Sequence, residues 1–183
     1  RIRMSFRELI MKRRSRRVYT GATIPEASLQ RILEAGLLAP TGRNLHPAEV
    51  IVVRERGMLE SLSRSKTGGS ALLANADAAL VVIGDTARSD TWVEDGSIMM
   101  AYMQLEAEEL GIGNCWVQIR SRFSQTLQAD GSNLPSNAYV RQALDIPEPY
   151  EVLAILALGM SDEQRPVHLE EEMDWSHCHQ EKF

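Results

Sequence analysis

Apolar positions recur along this chain with two different periods. Leu29, Ile32, Leu33, Gly36 and Leu37 keep the three- and four-residue spacing of a helix with one buried face. Pro40 limits that helix, because a proline drives the residue before it out of the right-handed helical region. Thr23-Ile24-Pro25-Glu26 stands in front of it in capping-box form, with Pro25 near the first helical position. Ser5-Phe6-Arg7-Glu8 has the same form and predicts a short helix over 6–13. A long helix is predicted from a cap at Asp95 to about Leu110, with Ile98, Ala101, Tyr102, Leu105 and Leu110 inward and Gly111 as its stop. Shorter helices are expected over 57–65 and 136–144, the latter ended by Asp145-Ile146-Pro147. Continuous apolar or β-branched runs predict strands at 49–54, 78–84, 114–119 and 151–159. Residues 66–70 read as a flexible Gly-rich link, and the stretch from Ser161 is polar and acidic without periodicity.

Strands separated by long helices predict a layered domain of helices and sheet. The pattern does not require a parallel doubly wound sheet, and a helix–loop–strand start fits a Rossmann half poorly. No segment repeats and no composition shift marks an internal boundary, so one domain over 1–183 is expected, with 161–183 as a C-terminal extension.

Composition adds charge to this outline. The 183 residues carry a net charge of −5, yet the first 17 carry +7 and the rest −12. The basic head consists of Arg1, Arg3, Arg7, Lys12, Arg13, Arg14, Arg16 and Arg17, opposed by Glu8. A basic head on an acidic body is a partner-binding signal that does not name the partner. The longest apolar stretches, 78–83 and 152–158, are under half a membrane span, and no secretory pattern opens the sequence. Cys115 and Cys178 are too few for a disulfide framework, and a reducing cytoplasm is the expected location. An aromatic fraction of 5% disfavours a stacking-rich nucleic-acid surface.

Familiar catalytic signatures are missing: no Gly-x-Ser-x-Gly, no Walker A loop and no His-Glu-x-x-His occurs. Gly111-Ile112-Gly113 lies between a helix and a strand, the reverse of what a dinucleotide turn needs, and reads as a helix stop. The run at 12–17, KRRSRR, has three readings: a solvated basic face, a patch for nucleic acid or localisation, or a socket for a small phosphorylated ligand. Arginine forks pair with phosphate oxygens, and Ser15 adds a hydroxyl donor among them. The loop Pro40-Thr41-Gly42-Arg43-Asn44-Leu45-His46-Pro47 offers the donor and acceptor of Asn44 and a close backbone approach at Gly42, which suits a flat heteroaromatic ligand or an ordinary polar turn equally. His177-Cys178-His179 lacks a second ligand group at zinc spacing, so no metal is expected. Cys115, Trp92 and Trp116 read as packing residues, 170–172 as a solvated charge run, and Trp175 as cover for a partner subunit.

Taken in order, several segments resemble the FMN-dependent nitroreductase family in its short form. Arg13-Arg14-Ser15-Arg16-Arg17 resembles the family's RRSxR opening, and the stretch from Leu33 to Asn44 resembles its segment ending APSgrN. Glu109-Leu110-Gly111-Ile112-Gly113-Asn114-Cys115-Trp116 resembles the LGLGscW step from helix to strand. Ala157-Leu158-Gly159 and the closing Lys182-Phe183 also match, so the resemblance runs in family order from residue 13 to 183.

This resemblance implies an α+β fold with three α/β/α layers, a mostly antiparallel central sheet, and an intertwined homodimer with FMN at its interface. It implies that Arg13, Ser15 and Arg17, with Arg14 nearby and Arg165 as a second cation, hold the FMN phosphate. Pro40, Thr41, Gly42 and Asn44 would line the flavin, and the strand Val117-Gln118-Ile119 would approach its N5 edge. NADH or NADPH would deliver a hydride through flavin N5 to a small oxidised acceptor by a ping-pong route, with no protein residue as catalytic acid or base. Two departures stand out: His46 and Ala48 replace the Gln and aromatic of the family's N-x-Q-P-W, and Gln118-Ile119 replaces the usual glycine or glutamate. His46 is thereby a candidate substrate contact. Flavin fragmentation and reductive dehalogenation are the alternative reactions on the same fold, and a nucleic-acid-binding protein is the alternative outside it.

Overall fold

The computed structural model describes residues 4–183, so Arg1 and Arg3 of the basic head lie outside the described residues. Helix α1 (Phe6–Lys12) starts on the expected capping box: Ser5 Oγ accepts from the Glu8 N–H, and the Glu8 carboxylate from the Ser5 N–H. Helix α2 (Glu26–Leu37) starts one residue later than its sequence suggested. Pro25 is its cap and no side chain bonds the helix end; Thr23 is idle there, and the Ile24 N–H is satisfied by Asp77 instead. Then come β1 (Ala48–Val53), α3 (Arg56–Leu62), β2 (Ala78–Asp85), α4 (Trp92–Glu109), β3 (Gly113–Gln118), β4 (Phe123–Leu127), β5 (Asn133–Pro135), α5 (Ser136–Ala143) and β6 (Tyr150–Gly159).

Four strands form one sheet in the order β1-β2-β6-β3, every neighbour antiparallel. Side chains alternate across the sheet, so each strand feeds two cores. Leu80, Val82, Ala154, Leu156 and Leu158 meet α2 and α4 on one face. Val81, Val117, Ile155 and Ala157 meet Leu59, Leu62, Leu73, Val140 and Ile146 on the other. Helices on both faces of an antiparallel sheet make the three layers expected. The strands β2 and β6 are buried almost throughout, which explains why their sequences are apolar runs rather than alternating ones.

Helix α4 departs from expectation at its start and on its faces. It begins at Trp92, so Asp95 lies inside its first turns rather than capping it. Its inward residues are Met99, Met100, Met103 and Ala107, whereas Ile98 and Tyr102 are 37% and 41% exposed. Both stripes are apolar, so periodicity alone could not say which one meets the sheet. Close packing decides it. A Cβ on Gly36 of α2 would lie 2.8 Å from Met103, and one on Gly96 of α4 would lie 2.8 Å from Leu153 of β6. The helix ends as predicted. Gly111 takes φ +74°, its N–H bonds the Glu108 carbonyl, and the Ile112 N–H bonds that of Ala107, the two bonds of a Schellman stop.

The β4–β5 hairpin had no clear signal, since its residues are mostly exposed. Among the described residues no helix is long and apolar enough to cross a membrane.

Candidate functional site

The stretch from 161 onwards finds its order against the chain's beginning. Thr20 N–H donates to Met160 O, Ser161 Oγ–H to Val18 O, and Arg14 Nη1 to Pro166 O, while the His168 N–H donates to Met11 O. The two segments run antiparallel, and Glu163 is their rivet. Its carboxylate accepts the N–H groups of Arg17 at 2.7 Å and Val18 at 3.2 Å and also pairs with Arg165, while its carbonyl accepts from Arg16 Nε. Those bonds, the Arg17 N–H foremost, hold the Glu163 carboxyl below the usual carboxylate range.

Between the two segments lies a pocket of about 230 Å³ lined by Arg13, Arg14, Ser15, Arg17, Arg165 and His168. The structure therefore gathers all five residues expected to hold a phosphate and adds His168. Among the described residues, Arg13, Arg14 and Arg17 have no ion-pair partner. Arg16, in the same run, turns the other way: its Nη1 lies 3.0 Å from Glu108 Oε2, and Glu108 is 3% exposed. The run therefore splits by function. Arg16 anchors the segment to the end of α4, and its neighbours present guanidinium forks to one hollow. Four cations converging with a hydroxyl form a donor set suited to a phosphate dianion.

The Pro40–Pro47 loop sits at the other end of α4. Gly42 N–H donates to Asp95 Oδ1 at 2.9 Å, and Thr91 Oγ1 donates to Asp95 Oδ2 at 3.1 Å. A Cβ on Gly42 would lie 2.7 Å from Thr91 Oγ1, so the contact requires a bare backbone there. Arg43, Asn44 and His46 all adopt left-handed backbone, with φ of 52°, 56° and 48°. Such conformations persist where surrounding bonds over-determine them. Thr41 Oγ1 accepts the His46 N–H, and His46 Nε2 donates to Asn44 Oδ1 at 2.7 Å. Pro40, Asn44 and His46 are exposed, while Thr41 and Gly42 are half-buried.

Strand β3 is an edge strand with a partly open outer side. Arg16 N–H donates to Asn114 O there, so main-chain groups of alternate residues, Trp116 and Gln118, also point outward. Ile119 differs: its side chain is fully buried and its N–H donates to Leu153 O. Of the pair Gln118-Ile119, Gln118 alone faces the open edge. Its side chain is already engaged, accepting from Trp116 Nε1 and donating to Arg120 O.

Within the chain the loop and the cationic pocket do not meet. Asp95 and Glu108, which tether them, are separated by roughly 20 Å of helix at 1.5 Å per residue. Asp95, Glu108, Glu163 and His168 escaped the sequence reading as site residues. No sequence signal singled out Glu108, because close packing at Gly36 and Gly96 decides which stripe of α4 is buried.

The family follows from this fold and these segments. The nitroreductase family model matches residues 10–63 and 57–160, and the chain belongs to that family. An FMN-dependent nitroreductase structure from Clostridium difficile R20291 is 37% identical, with TM-score 0.90, 96% of this chain covered and 98% of the other. A relative from Archaeoglobus fulgidus with the provisional name NADH dehydrogenase/NAD(P)H nitroreductase is 34% identical over 181 residues, covering 96% of this chain and 97% of its own. The NADPH:FMN oxidoreductase of Vibrio harveyi, solved with NAD+, shares the fold at TM-score 0.78 and 24% identity, over 96% of this chain and 76% of the other.

Proposed function

We propose that this protein is an FMN-dependent NAD(P)H oxidoreductase that works as a homodimer and reduces a small oxidised acceptor such as a nitroaromatic or quinone. The observation that carries the reading is the cationic pocket, with Arg13, Arg14, Arg17 and Arg165 around Ser15 and, among the described residues, no carboxylate within ion-pair distance of the first three. FMN, when bound, would supply a two-electron carrier between nicotinamide and acceptor. The guanidiniums and Ser15 would hold its phosphate, and the outward main chain of Gln118 would meet its ring edge. Asn44 Oδ1 is occupied by His46, which leaves the Asn44 amide N–H groups as the donors offered to the ring. His46 thus serves Asn44 first and substrate second.

A partner copy would complete the site. Helix α4 is apolar on its outer stripe as well as its inner one, and such a helix is usually covered on both sides. Helix α1 buries no residue, too little to stabilise seven residues alone, and Trp175 is 74% exposed. Two α4 helices packed antiparallel about a two-fold axis would set the Pro40–His46 loop of one protomer beside β3 and the cationic pocket of the other. Residues 161–183 then belong to the same folding unit as the rest. Free thiols at Cys115 and Cys178 fit a reducing compartment such as the cytoplasm.

The purified protein should carry the visible absorption of oxidised flavin and be bleached by NADH or NADPH under anaerobic conditions, with colour restored by the acceptor. A colourless protein that takes up no added FMN would overturn the reading. Stopped-flow bleaching by each nucleotide separates NADH from NADPH.

A further inference from the structure

One member of the cationic pocket is a histidine. His168 lines it together with the four arginines. Its main-chain N–H donates to Met11 O at 2.8 Å, which fixes its backbone beside the last turn of α1. Its Nδ1 lies 2.5 Å from Glu172 Oε2, one helical turn onward. An ionised carboxylate only accepts, so Nδ1 carries the hydrogen of this bond. In the neutral ring Nε2 is then a bare acceptor, which repels phosphate oxygens. It becomes a donor once the ring takes up a proton.

The surroundings make that proton depend on the ligand. Arg13, Arg14 and Arg17 line the same hollow from the segment after α1, and Arg165 lines it from the histidine's own segment with Glu163 behind. Glu172 bonds the ring from the following turn, and the Met11 carbonyl of α1 is taken up by the His168 main-chain N–H. Four guanidiniums against two carboxylates leave a surplus of two positive charges in the hollow. A phosphate dianion cancels that surplus and offers Nε2–H an acceptor.

We propose that His168 is a phosphate-binding residue that takes up a proton as the FMN phosphate seats, so that FMN is held more tightly near neutral pH than in alkali. The proposal rests on the phosphate reading of the pocket. Its sign follows from linkage: if the complex binds one more proton than the separated partners, the dissociation constant rises with pH by up to about tenfold per unit. The phosphate's own second ionisation lies near 6, so a window from about pH 7 to 9 keeps it a dianion throughout.

The test is equilibrium dialysis of the holoenzyme across that window, with bound FMN measured by absorbance, for wild type, His168→Gln, Arg13→Ala and Arg17→Ala. Wild type should lose affinity as pH rises, and His168→Gln should be weaker near neutrality and nearly flat with pH. A wild-type slope in His168→Gln overturns the role of His168, even if both arginine variants bind FMN weakly. Unchanged FMN affinity in both arginine variants overturns the phosphate reading itself. Should His168→Gln fail to fold, histidine carbon-13 NMR of wild type at about pH 8 decides. The His168 signal should move to its charged position with FMN and not with riboflavin, which lacks the phosphate; no difference between the two flavins overturns the proposal.

Discussion

Replacing Glu108 by leucine would strand the Arg16 guanidinium in the protein. Glu108 is 3% exposed and Arg16 16%, with 3.0 Å between their charged atoms. Removing one partner of a buried pair costs about 3–5 kcal/mol, because the other charge stays behind uncompensated. Arg16 retains two main-chain acceptors, Arg14 O and Glu163 O, each at 3.3 Å, and it is slightly open to water. The low end of the range therefore applies, about 3 kcal/mol. At roughly 2–4 °C per kcal/mol for a chain of this size, the melting temperature should fall by about 6–12 °C. Thermal unfolding of Glu108→Leu at fixed protein concentration reads this directly. The double variant Arg16→Met, Glu108→Leu should recover most of the loss, since a well-packed apolar pair of similar volume often equals a buried ion pair. A melting temperature within 2 °C of wild type, at an expected shift of roughly three times that, would refute the anchoring role of Glu108. So would a double variant no more stable than the single one.

Other outcomes follow from the same bonds. Arg13→Ala and Arg17→Ala should each weaken FMN binding by about tenfold to a hundredfold, one charge-assisted bond at roughly 1.5–3 kcal/mol, with little change in unfolding; a fluorescence titration measures it. Asp95→Ala leaves the Gly42 N–H and Thr91 hydroxyl without their acceptor, and should lower stability by about 1–3 kcal/mol in urea and slow turnover by loosening the Asn44 loop. Glu163 has its carboxyl lowered by the Arg17 N–H, then by Val18 and Arg165, so its stabilisation is full above its unfolded value of 4.5 and disappears as pH falls through the lower folded value. Glu163→Gln should therefore flatten the acid limb of the stability curve below about pH 5, as followed by circular dichroism.

The sequence carried the elements better than their environments. Strands β2 and β6 announced themselves because burial on both faces leaves uninterrupted apolar runs, and the α4 stop was legible in Gly111 because few other residues accept positive φ. The inner stripe of α4 was not legible, since Ile98 and Tyr102 are as apolar as Met99 and Met103 and only the close approach at Gly36 and Gly96 selects between them. Asp95 looked like a cap because caps are local, whereas its true acceptor duty, to Gly42, spans 53 positions in the chain. The arginine run offered a phosphate socket as one of three readings and gave no hint of its division of labour. Arg16 turns inward because Glu108 sits on a buried stripe, a fact that belongs to the tertiary structure. The hairpin from β4 to β5 has little burial to write a pattern into its sequence.

The antiparallel strap between residues 11–20 and 160–168 also has a consequence in time. Arg14 meets Pro166 across 152 positions, and Arg17 meets Glu163 across 146. The sheet closes when β6 arrives, yet the pocket has no second wall until residues 161–168 have been made. During synthesis at about 5–20 residues per second, that wall leaves the ribosome only after every strand of the sheet. A nascent chain stopped at Gly159 would hold every strand of the sheet and lack Glu163, Arg165 and His168. The sheet is thus complete before the pocket is, and on the proposed reading cofactor capture waits for residues 161–168 rather than for the core.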